Sequence, residues 1–165
     1  MTVVVVIDTC VLRLALEHEL TDDEVRRTAY ELLMRLFKRK DIVVVFNSET
    51  VSECSRHISA VKGEIRRVIK VNPSFRLLRM LNKVRRKVND LEFSFEFEGE
   101  PVNRKDLHLL NAAKAGALEF GEAKAYVITV AEDVYRGETA KNGKNVKIRL
   151  LNMFSEEFSS FVKTL

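Results

Sequence analysis

The chain has no tryptophan and no glutamine, and only two cysteines, Cys10 and Cys54. Two thiols do not make a disulfide framework. No apolar stretch approaches the ~20 residues that cross a bilayer, which excludes a membrane-spanning helix. The N-terminus lacks the basic start and small-residue cleavage site of a secretory signal. With so few cysteines, we expect an intracellular, cytoplasmic protein without a membrane partner. No internal repeat, low-complexity tract or interdomain linker is present. None of the three histidines, His18, His57 and His108, has a second His or a Cys at zinc-like spacing. All three read as surface or supporting residues.

What is present fits one domain. A chain of 165 residues can bury one sizeable core, so residues 1–165 are read as a single unit. Lys and Arg exceed Asp and Glu by 28 to 24, giving a net charge of +4 and a pI near 9.1. That excess is modest, and its distribution matters more than its sum. Abundant Lys, Arg and Glu without glutamine lean toward a thermophile composition.

The organising stretch is MTVVVVIDTCVL. Val3 to Ile7 form an unbroken β-branched run, which suits a strand buried on both faces of a parallel sheet. The run stops on Asp8, Thr9 and Cys10, and helical spacing follows (Val11, Leu14, Ala15). Asp8 therefore falls at the carboxyl end of a strand, where open α/β sheets bind ligands. A carboxylate there is costly unless paired, and a metal ion is the usual partner. The plainer alternative is that Asp8 caps the helix that follows.

Further elements follow in order. Thr21 with Glu24 forms a capping box for a helix whose stripe is Val25, Ala29, Leu32, Leu33, Leu36 and Phe37. Ile42 to Phe46 is a second continuous apolar strand, completing a parallel crossover. Asn47 or Ser48 caps a helix buried through Val51, Cys54, Ile58, Val61, Ile65 and Val68, with Glu53 beside that stripe. Asn72-Pro73-Ser74 breaks it. Ser74 caps another helix carrying Phe75, Leu78, Leu81, Val84 and Val88. Leu91 to Glu98 alternates strictly and reads as a half-buried strand. Asn103 caps a helix with Asp106 in its first turn, and Gly121 marks its end. Ala125 to Thr129 and Val146 to Leu150 are further strands, with a loop over Gly137 to Asn145 between them. Ser155 caps a last helix with Phe158, Phe161 and Val162.

Four acidic sites fall at element ends or first helical turns: Asp8, Glu53, Asp106, and the pair Glu132 and Asp133. In a doubly wound sheet these places converge on one crevice. Crowded carboxylates repel each other, and Mg²⁺ or Mn²⁺ removes that penalty. Such a site activates water and neutralises charge on a phosphoryl group in transfer. For any one acid taken alone, a helix cap or a solvated charge is the blander reading.

Several segments together resemble the PIN-domain ribonucleases, which include the VapC-type toxins. They are VVVIDTCVL, VVVFNSETVSEC, KDLHLLNAAKAGA, AYVITVAED and VKIRLLNMFSEEFSSFV, in an order that covers almost the whole chain. The resemblance implies an α/β protein with three α/β/α layers around a mostly parallel sheet of four or five strands. It also implies metal-dependent cleavage of RNA, with Asp8, Glu53 and Asp106 holding Mg²⁺ or Mn²⁺ and Asp133 or Glu132 as fourth ligand. Thr9 and Thr129 are then placed to hold a water or a phosphate oxygen. An antitoxin protein and a homodimer are the partners such a family suggests, besides RNA itself. The chain departs from the family's pattern in three ways. Cys10 stands where a small polar residue is common, and Ala131 stands where the fourth acid usually sits. The segment from Ser74 to Pro101 is also unusually long.

A basic face accompanies the acids. Lys62, Arg66, Arg67, Lys70, Arg76, Arg79 and Lys83 lead into Arg85-Arg86-Lys87, the densest patch and the expected RNA contact. The alternatives are a solvated helix face, or pairing with the acidic Glu92 to Glu100 stretch or with a second subunit. On function, the rival to a nuclease is a catalytically silent PIN-like scaffold that binds RNA or a protein. A phosphatase of the haloacid-dehalogenase type ranks lower, because it wants a second Asp where Cys10 stands.

Overall fold

The run of β-branched residues at Val3–Ile7 does become a central strand, β1, with Val4 and Val5 fully buried on opposite faces. The computed structural model describes residues 1–18, 20–69, 75–99, 101–130, 139–142 and 146–163. After β1 come α1 (Thr9–Glu17), α2 (Glu24–Phe37), β2 (Ile42–Phe46), α3 (Ser48–Ile69), α4 (Arg76–Val84) and β3 (Arg85–Lys87). Then follow β4 (Glu96–Phe97), a 3-10 turn (Arg104–Asp106), α5 (Leu107–Phe120), β5 (Lys124–Thr129), β6 (Thr139–Asn142), β7 (Val146–Asn152) and α6 (Glu156–Lys163).

The strands join in one sheet in the order β3-β2-β1-β5-β7-β6-β4. The first five run parallel, and β6 and β4 each pair antiparallel with their neighbour. The protein is thus α/β with a mostly parallel mixed sheet of seven strands, more than the four or five expected. Alternation along the strands sends Val5, Ile7, Val44 and Ile128 into a core shared with α1 to α4 and α6. Val4, Val6, Val45 and Val127 point the other way, to a second core under α5. Helices therefore cover both faces, which is compatible with three α/β/α layers.

Several local readings need correction. Helix α2 is capped by Asp23, whose side chain accepts from the Arg26 amide at 2.8 Å, rather than by Thr21. Both residues suit a cap, but Thr21 lies in the preceding turn, where its own N–H bonds the Glu17 carbonyl. Arg85 to Lys87 is not helical but an edge strand beside β2. Only Glu96 and Phe97 of the alternating segment enter the ladder, against Ala140 and Lys141. The rest of its phenylalanines, Phe93 and Phe95, pack on the α5 core without strand pairing. Thr139–Asn142, expected in a loop, forms β6 against β7. Val25 and Val51 stay exposed on helices whose stripes were expected to bury them. The Ser74 cap and the Val68 side chain lie outside the described residues.

Other local readings agree with the structure. Asn103 accepts from the Lys105 amide, and Ser155 Oγ accepts from the Phe158 amide. Gly121 ends α5 at φ 65°, a left-handed conformation that glycine adopts without penalty.

Candidate functional site

The chain runs from β1 to β2 and β3 on one side, and returns to place β5 and β7 on the other. The carboxyl ends of β1 and β5 thus flank the point where the sheet changes winding direction. Asp8 and Thr129 stand there. The Asp8 amide donates to the Ile128 carbonyl at 2.9 Å, continuing the β1–β5 pairing to the sheet's edge.

Asp8 is buried, with 7% exposure, and occupies the position before α1. Its side chain makes no capping hydrogen bond. Instead Thr129 Oγ1, itself fully buried, donates to Asp8 Oδ2 at 2.7 Å. The Cys10 thiol lies against both. Burial first, and then the Asp8 charge, push the Cys10 pKa up to about 12, although the Val130 backbone and the Thr129 hydroxyl oppose the shift. Cys10 is therefore a neutral thiol. Among the described residues Asp8 has no cationic partner. Thr9, also buried, opens α1 beside it.

A second group of acids sits at the same edge. Glu53 and Asp106 line an open cleft of about 380 Å³, with Glu49 beside them and Arg56 and Lys105 at its margins. His108 Nε2 approaches Glu53 Oε2 at 3.1 Å. His108 is only 6% exposed, and its Nδ1 is buried without a hydrogen-bond partner among the described residues. Expected on the surface or in a supporting role, His108 is buried with Nε2 against Glu53. Helix α5 begins directly after the 3-10 turn, which turns His108 toward α3.

Asn47 joins the two helices that carry these acids. Its Oδ1 accepts from the Thr50 amide at 2.9 Å, capping α3, while its Nδ2 donates to the His108 carbonyl at 3.0 Å. The only signal for this in the sequence was a polar residue closing an apolar strand, read as a cap alone.

The structure thus gathers Asp8 with Thr129, and Glu53 with Asp106, but Asp8 does not line the Glu53 cleft. Among the described residues no three His, Cys, Asp or Glu side chains form a group that could hold a metal ion. Glu132 and Asp133 lie outside the described residues. The oxygen donors suit a hard divalent cation, and the uncompensated Asp8 fits such a partner; the described set alone does not complete its sphere. Arg85, Arg86 and Lys87 lie apart, on β3. There Arg86 bonds Glu119 at 3.2 Å and stacks over Phe120.

Comparison with known protein families, curated proteins and solved structures finds no match.

Proposed function

We propose that this chain is a PIN-like, metal-dependent ribonuclease working at the carboxyl edge of its sheet. One observation carries the reading: a buried carboxylate, Asp8, held by the Thr129 hydroxyl at the winding switch and met by no cation among the described residues. Burying such a charge is costly, and a divalent cation offsets the cost. Asp8, Glu53 and Asp106 would hold Mg²⁺ or Mn²⁺, with Glu132 or Asp133 completing the set. When bound, the ion supplies water activation and charge neutralisation at phosphorus.

The chain's own groups do the rest. Thr129 fixes the Asp8 carboxylate, and His108 fixes Glu53. Arg56 and Lys105 border the acid cleft, where an RNA backbone gains from cations. Both cysteines are free thiols, which suits a cytoplasmic location.

Cleavage of structured and unstructured RNAs in Mn²⁺ tests the proposal. Asp8→Asn should abolish cleavage while preserving the fold, and chelation should stop the parent. Unchanged activity in that variant, with contaminating nuclease excluded, removes the catalytic claim.

That Ala131 stands where the fourth acid is usual, and that Asp8 is not among the residues lining the Glu53 cleft, favour a second reading, a silent PIN-like scaffold for RNA or a protein such as an antitoxin. Calorimetry with Mn²⁺ distinguishes the two. A nuclease gives specific binding that Asp8→Asn removes, and a scaffold gives none.

A further inference from the structure

Across α3 from the acid cleft runs a groove of about 400 Å³. It lies between α3, which packs chiefly on α1, and α4, which leans on α2 and β2. Its walls are largely apolar, with Ser55 and Asn82 among them. Val51, Cys54 and Ile58 on α3 face Leu78 and Leu81 on α4. With Lys62, the α3 positions recur every three or four residues, which makes one stripe about 16 Å long. Val51 remains 37% exposed on this stripe, although burial would be favourable.

The rim is positive. Lys62, Arg85 and Lys87 border the groove, and among the described residues no acidic side chain lines it. Neither Lys62 nor Arg85 forms an ion pair or side-chain hydrogen bond among the described residues. Arg86 is already engaged by Glu119 and Phe120.

We propose that this groove docks an acidic amphipathic helix of a protein partner. The helix would lie along α3, its apolar side down and its carboxylates meeting Lys62, Arg85 and Lys87. The stripe matches three turns of such a helix. RNA fits less well, because bases stack on aromatic faces. The one aromatic lining residue, Phe46, is 6% exposed. This inference stands whether or not the chain cleaves RNA.

The test is fluorescence anisotropy with the full chain and a labelled synthetic peptide of about 14 residues, with leucines on one helical face and glutamates elsewhere. Binding should be saturable. It should weaken on the order of tenfold in Lys62→Glu, Arg85→Glu and Val51→Asp, each with a parent-like circular dichroism spectrum. Val51 is exposed and Lys62 is partly so, so these two variants keep the test sound if the strand variant misfolds. A peptide of the same composition with its leucines scattered should bind about tenfold more weakly. Equal binding of the scattered peptide would overturn the proposal. So would oligouridylate binding that depends on Lys62 and Arg85 while the peptide fails to bind.

Discussion

Asp8 brings a carboxylate into a buried space where, among the described residues, a hydroxyl and a thiol meet it. Such a residue weakens the fold it serves. Asp8→Asn keeps the shape and an oxygen for Thr129, so we expect it to melt no lower than the parent even as cleavage is lost. A melting temperature several degrees lower would mean that the Asp8–Thr129 bond serves the fold rather than a cation. Thr129→Val removes a hydroxyl that donates to Asp8, and should cost about 1–3 kcal/mol in urea unfolding. Asp8 and Thr129 were legible because each closes an apolar strand with a polar side chain. His108 was not. Nothing in the sequence said that Glu53 would stand where His108 points. Asn47 was half legible: a cap is local, while its bond to the His108 carbonyl spans 61 residues.

Helix α5 lies unusually close to the sheet. A Cβ on Gly116 would come within 2.8 Å of a Val4 methyl and 2.9 Å of the Val45 methyls. Valine is stiff at χ1, so these neighbours cannot simply rotate away. Gly116→Ala should therefore destabilise by about 1–3 kcal/mol despite alanine's better helix propensity, read as a lower urea midpoint. Helix α3 has a pH-sensitive start. Asp90 accepts from the Ser48 amide at 2.6 Å and the Ser48 hydroxyl at 2.5 Å. The hydroxyl first, then the amide, hold its carboxyl below the ordinary value of 3.8. A lowered folded-state value means the contact helps fully above 3.8 and is lost as pH falls through the depressed value. Hydrogen exchange at the first turn of α3 should lose protection over that acid range, and Asp90→Asn should show the same loss at neutral pH. The long helices were legible from their stripes and caps. Strand β3 was not, because three basic residues have no period of their own and extend the cationic run of α4. What makes them a strand is the open edge of β2 beside them.

At the scale of the whole molecule, β1 and β5 sit inside the sheet with helices on both faces, while β3 and β4 close its two ends. The slowest-exchanging amides should therefore belong to β1 and β5, and those of β3 and β4 should exchange orders of magnitude sooner. Uniform protection across the sheet would contradict this. The parallel centre was legible because strands buried on both faces must be apolar throughout. The additional strands were not, since edge strands are short and polar, and a four-residue segment such as Thr139–Asn142 looks like a turn. One consequence belongs to the rim formed by Arg85, Arg86 and Lys87, all exposed. An open rim invites another molecule's backbone to zip onto it, the first step of fibre growth. The positive Arg85 and Lys87 repel an identical rim, which opposes the fusion of two copies there into a continuous ribbon.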